Sequence, residues 1–269
     1  MEELEKWPNA PLVFVLVAFR ISQYPKVEMR IPDLHEAVLA TLPERQNTQG
    51  FSFTYNASAP GQPPRFEEKP ITRLFSRESG VSMFIRDDLI AFEMTQYNGY
   101  KQARQTIHHL LDVLLNALPN LHPQLVAMRY IDAILEGDQE SVDRFVQPGL
   151  RGIDLPYQLR AGQGYQQFQV TEGQTLTISF VRGSKPSGTV VLPEGIELPA
   201  MLPQDRKLAA FTQHKGEFGL LDFDVGVRYD GAAELDRLMA ALDGLHDSLR
   251  EALPNAATPE AINYWKRVQ

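Results

Sequence analysis

Apolar residues mass first in one uninterrupted run, Leu12-Val13-Phe14-Val15-Leu16-Val17-Ala18-Phe19, closed by Arg20. β-Branched and aromatic residues dominate the run, and Pro8 and Pro11 precede it, so the pattern predicts a central strand covered on both faces. It is far shorter than the roughly 20 residues that a membrane-crossing helix needs. Leu34, Ala37, Val38 and Leu42 then recur at helical spacing, with Asp33 as a candidate N-cap and Pro43 as a stop. From Phe51 the pattern becomes extended. A Pro/Gly-rich loop at 60–64 is followed by a strand at Ile71–Phe75 and a hairpin, Val81–Arg86 and Leu89–Gln96, turning at Asp87-Asp88. A tight turn at Tyr97-Asn98-Gly99 releases a long helix bearing Tyr100, Ala103, Ile107, Leu110, Leu114 and Leu118 on its apolar side. Ala117-Leu118-Pro119-Asn120 ends it.

This order then recurs. Leu125-Val126-Ala127-Met128-Arg129-Tyr130-Ile131 matches Leu16-Val17-Ala18-Phe19-Arg20-Ile21, down to the arginine that leaves the apolar run. A short helix is expected over Asp138–Val146. Strands follow at Tyr165–Val170, Leu176–Arg182, Leu208–Gln213 and Phe218–Tyr229. The last of these ends in Tyr229-Asp230-Gly231 and releases a helix carrying Leu235, Leu238, Met239, Leu242, Leu245, Leu249 and Leu253. That helix is expected to stop at Ala252-Leu253-Pro254-Asn255. Asn-Gly and Asp-Gly suit a turn with positive φ, and proline cannot continue a helix. The shared signals in the same order predict an internal duplication. The fold class is α+β: two pseudo-repeats, 1–120 and 121–269, each reading strand, helix, antiparallel strands, long helix. The second repeat adds a Pro-rich loop at 190–207 and a C-terminal helix opening at Thr258-Pro259-Glu260, which presents Ile262 and Trp265 for docking.

Composition narrows the class. The chain has 269 residues, 43% of them hydrophobic and 22% charged, which is ordinary for a globular protein. No cysteine is present, which excludes disulfides, thiolate metal sites and a Cys nucleophile. The net charge is −8 and falls unevenly: 14 acidic and 12 basic residues precede position 121, whereas 20 and 14 follow. An acidic surface repels phosphate, so direct nucleic-acid binding is not expected and a basic protein partner is. Met1-Glu2-Glu3-Leu4-Glu5-Lys6 does not resemble a secretory signal, which points to the cytoplasm.

Candidate chemistry is sparse. His108 and His109, with Asp112, hint at metal-ligand spacing on a helix, but they fall on its polar side and a third ligand is not evident; no metal is expected. Asp222 and Asp224 alternate with Leu221, Phe223 and Val225, so one strand face shows two carboxylates. Together with Glu217 they form a candidate acidic, partner-binding face. Ile196, Leu198 and Met201 in the Pro-rich loop are the other partner-binding candidates, because prolines bar them from a central strand while their side chains want cover. P-loop, GxGxxG, HExxH, GxSxG and calcium-loop motifs are all missing, so no cofactor and no catalytic residue are expected.

Trp7-Pro8-Asn9-Ala10-Pro11-Leu12-Val13 through Phe19-Arg20, and Met128-Arg129-Tyr130-Ile131 at mid-chain, resemble a sporadically distributed bacterial family of two-repeat α+β proteins. The likeness spans nearly the whole chain and is carried by short strand motifs. Some similar proteins look like immunity proteins for type VI or contact-dependent toxins. The resemblance implies a cytoplasmic, non-enzymatic immunity protein that neutralises a toxin, with a nuclease effector favoured by charge. The competing expectation is a small-molecule- or nucleotide-binding protein, or an enzyme, using a site between the repeats.

Overall fold

The opening apolar run forms β1 (Leu12–Ile21) in the computed structural model, which describes residues 7, 9–54, 65–135, 141–152, 161–193 and 205–266. It is followed by α1 (Ile31–Val38), β2 (Glu44–Thr54), β3 (Arg65–Ser76), β4 (Val81–Arg86), β5 (Leu89–Met94) and the long helix α2 (Tyr100–Ala117). The second half continues with β6 (Pro123–Leu135), two 3-10 turns (Val142–Phe145 and Pro148–Leu150), β7 (Gly162–Thr171) and β8 (Gln174–Lys185). It closes with α3 (Arg206–Gln213), β9 (Gly216–Arg228), α4 (Leu235–Ala256) and α5 (Pro259–Lys266). This is an α+β fold in which a strand, helix, strands, helix order is roughly repeated across the two halves of one sheet, with 3-10 turns in place of the first helix in the second half.

The sheet has nine strands in the order β2-β3-β4-β5-β1-β6-β9-β8-β7, and neighbours are antiparallel throughout. β1 and β6 meet at its centre, with Val17 opposite Met128 and Phe19 opposite Val126. Each half therefore begins with the strand that pairs with the other half. Side chains alternate along these strands, so Val15, Val17 and Phe19 of β1 join Val126 and Met128 of β6 on one face. There they meet the apolar stripes of α2 (Ile107, Leu110, Leu114) and α4 (Leu242, Leu245, Leu249) in the main core. The opposite face carries a smaller cluster, Val13, Phe14, Ile131, Ala133, Leu208, Phe211, Phe218 and Leu220, roofed at one end of β1 and β6 by α3. Among the described residues no other helix covers that second face.

The duplicated turns use their glycines as expected: Gly99 has φ 103° and Gly231 φ 112°. At the half boundary Asn120, two residues past the α2 C-cap Leu118, takes φ 63°, a left-handed conformation in the turn that leads to β6. Thr258 caps α5 by accepting from the Ala261 amide at 3.2 Å, and Trp265 is buried.

Four expectations differ from the structure. Leu208–Gln213 lies within a helix, because Asp205 accepts from the Leu208 amide at 2.7 Å and Leu208 and Phe211, one turn apart, both point into the small cluster. α4 runs through Pro254 to Ala256; the proline sits in the last turn and does not end the helix before itself. Of the helix expected over Asp138–Val146, residues 138–140 lie outside the described residues, and the rest holds only a 3-10 turn, Val142–Phe145. α1 also starts earlier than its proposed Asp33 cap, at Ile31 after Arg30.

Gly99 combines φ 103° with ψ 156°, a region open essentially to glycine alone. Gly99→Ala should lower the unfolding free energy by about 1–3 kcal/mol. Urea melts should show a lower midpoint with an unchanged slope, whereas Gln105→Ala on the exposed side of α2 should leave the midpoint in place.

Candidate functional site

The acidic strand face expected from Asp222 and Asp224 is not exposed. Asp222 is 5% accessible and accepts both donors of Arg129, Nε and Nη2, at 2.8 Å each. Ser179 Oγ adds a third donor at 3.3 Å. Burial disfavours the Arg129 charge, but Asp222 outweighs that and holds the guanidinium above its usual range. Asp224 stands directly opposite Arg129 across the strand pair, yet the guanidinium fork is committed to Asp222. Burial pushes the Asp224 carboxyl up, partly offset by Arg129. Glu217 is likewise engaged, accepting from Arg182 Nη2 at 2.9 Å, while Nη1 of the same arginine pairs with Asp143. Strand periodicity sorts residues onto two faces but does not say which cations lie across from them. Ile196, Leu198 and Met201 lie outside the described residues.

The first half holds a counterpart. Glu93 on β5 accepts from Arg73 Nε at 2.9 Å and Nη2 at 3.0 Å, and Ser82 Oγ on the neighbouring strand also donates to it. Leu16 lies opposite both Glu93 and Arg129, so the two buried ion pairs share the face away from α2 and α4 and flank the central strands. Two residues along the same face, Ala91, Ala18, Ala127 and Gly226 stand opposite one another in that order.

β7 forms one edge of the sheet. Its sequence, GQGYQQFQVT, contains no charged residue, and its side chains are almost all exposed, with Tyr165 at 72%. Edges in monomeric proteins are commonly guarded by charge, proline or a covering element. Among the described residues nothing pairs with the outer side of β7. Gly164 lets the 3-10 turn at Pro148–Leu150 approach, since a Cβ there would stand 2.7 Å from the Leu150 carbonyl oxygen.

A polar network that the sequence did not disclose lies under the α2–α4 pair. The Tyr97 and Tyr130 hydroxyls are 2.9 Å apart, and Tyr130 Oη is 3.0 Å from His246 Nδ1. Tyr100 stacks on His246 with ring centres 3.7 Å apart and donates to Asp243 at 2.8 Å. Arg104 donates twice to Asp243, at 2.7 and 2.9 Å, and holds its carboxyl below the ordinary range. Tyr97, Tyr100 and Arg104 come from the first half and Tyr130, Asp243 and His246 from the second, so the network joins the two. Next to it lies Asp132 on β6, 4% exposed. Burial pushes its carboxyl up to about 7, with Asp222 reinforcing the shift and Lys207 opposing it. Both Asp132 and His246 carry a readable signal: each interrupts an apolar pattern at a position whose neighbours face the interior.

His108 and His109 are exposed on α2, and among the described residues no group of three or more His, Cys, Asp or Glu side chains converges. No described helix is long and apolar enough to cross a membrane. No family model, curated protein or solved structure matches the chain.

Two outcomes follow from these pairs. Asp222→Ala leaves Arg129 buried without its partner and should cost about 3–5 kcal/mol in denaturant melts. Asp132 binds its proton more tightly in the folded chain (about 7) than in the unfolded one (about 3.9), so its contribution to stability is present below pH 4 and is lost as pH rises to 7. Asp132→Asn should therefore gain stability relative to the parent between pH 5 and pH 8, measured as a widening difference in urea midpoint.

Proposed function

We propose that this chain is a non-catalytic binding protein of the cytoplasm, an immunity protein that neutralises a bacterial toxin by docking an extended toxin segment along β7. The observation that carries the reading is the uncharged, solvent-facing edge of that strand. Addition of a strand to an open edge supplies main-chain hydrogen bonds for affinity, and side chains such as Tyr165 and Phe168 supply specificity. The resemblance of the strand motifs at Trp7–Arg20 and Met128–Ile131 is what suggests the immunity role. The net charge of −8 favours a basic partner, such as a nuclease whose substrate-binding surface is positive. With Glu217 and Asp222 held in internal ion pairs, that attraction is a long-range property of the whole surface and acts mainly on association rate.

Co-expression with a toxin encoded beside this chain should restore growth, and the purified pair should form a lasting complex with the toxin's activity suppressed. Tyr165→Lys combined with Phe168→Lys should weaken that complex at least tenfold while the melting temperature stays unchanged, because both side chains are exposed. Full protection by this double variant would remove β7 from the interface. Rescue through covalent modification of the toxin, without a complex, would make the chain an enzyme.

A further inference from the structure

Between the sheet, α4, α5 and the N-terminal segment the fold leaves a slot of about 40 Å³, lined by Trp7, Tyr130, Asp132, Phe223, His246 and Trp265 among others. Its lining is apolar and aromatic apart from a few polar groups, and one of these is unsatisfied. Asp132 accepts no hydrogen bond and forms no ion pair within 4 Å among the described residues, although it is 4% exposed. Trp7 Nε1, a donor that calls for an acceptor, is also buried without a partner, and the Lys266 ammonium stands 4.9 Å from the centre of the Trp7 ring. A carboxylate enclosed in this way is costly unless a proton, a cation or water completes it.

The charged groups around the slot narrow the choice. Lys207 on α3 acts on Asp132 through space but makes no contact, and it lines a different cavity on the far side of Ala10-Pro11. Asp222 is committed to Arg129. Arg250 borders the slot, but its guanidinium pairs with Asp247 at 3.2 Å. His246 lies within hydrogen-bonding distance of Tyr130. Among the described residues only one carboxylate lines the slot, too few for a divalent cation, which takes six or more oxygen ligands. A cation of low charge density bordered by ring faces fits better. The volume admits an ammonium head with little alkyl attached, since a water needs roughly 10–15 Å³ on this measure and a drug-sized ligand at least about 300 Å³.

We propose that this slot is a binding site for an ammonium head group, with Asp132 as its counter-ion and the aromatic walls as its cage. The site stands independently of the β7 edge, and its occupant is either a free small amine or the lysine side chain of a docked polypeptide.

The chain's two tryptophans, Trp7 and Trp265, both line the slot, so intrinsic fluorescence reports directly on occupancy. The full chain is titrated at pH 8 with methylammonium chloride, against sodium chloride and methanol as ionic and neutral controls. A saturable change with methylammonium alone is expected, weakened at least tenfold by Asp132→Asn and weakened in the parent on going to pH 6, as the Asp132 carboxyl, pushed up by burial, takes up its proton. Should Asp132→Asn fail to fold, carboxyl NMR of the parent decides: methylammonium must lower the Asp132 pKa. Nα-acetyl-lysine methylamide binding more tightly than methylammonium assigns the site to a polypeptide lysine; weaker binding assigns it to a free amine. An equal response to methanol, an undiminished response in Asp132→Asn, or no saturable change with either amine overturns the proposal and leaves a slot that holds water only.

Discussion

Pairing of β1 with β6 is the constraint on which the other features rest. Both strands are apolar on the helix side, and each begins its half of the chain, so neither half can finish its sheet alone without exposing an apolar edge. Joining them antiparallel places α2 and α4 side by side over the seam. The Tyr97–Tyr130 contact, the Tyr100–His246 stack and the Arg104–Asp243 pair all follow from that adjacency. The seam is thus apolar at the strands and polar where the helices reach solvent.

The opposite face is held by a different economy of charge. Arg129–Asp222 and Arg73–Glu93 each place a guanidinium fork on a carboxylate that also receives a serine hydroxyl from the adjoining strand. Neutralisation within the sheet lets the part of the face that α3 does not cover remain without a helix while presenting no unpaired acid at those positions. Such pairs add little net stability over apolar replacements, but breaking one leaves a charge in a poor solvent, so they lock strand neighbours in register more than they strengthen them.

What could be read in the sequence was local. The β1 run, the hairpin at Asp87-Asp88, the glycine turns at Gly99 and Gly231, the Thr258 cap and the docking of Trp265 all depend on residues a few positions apart, and each is found where its pattern lies. α3 is not legible in the same way, because Leu208 and Phe211 are compatible with either a short strand or one helical turn, and the deciding Asp205 cap is a single residue. The fate of Asp222 depended on Arg129, 93 positions away, which no periodicity encodes. Asp132 and His246 were visible as polar residues inside apolar patterns, yet their meaning came only when Trp7, β6 and α4 were brought to one place.

The seam also sets an order of events at the ribosome. β5 and α2 complete the cover of the first half while β6 has yet to be made, so β1 waits with one side of its backbone unpaired. With some forty residues separating the end of β5 from the end of β6, the wait is roughly 2–8 s at typical rates of synthesis. Throughout that interval a nascent first half can meet the first half of another nascent chain, β1 against β1, through a surface that the finished protein hides completely. A polysome crowded with this message is therefore where strand exchange between copies has its opening, and swift emergence of β6 is what closes it.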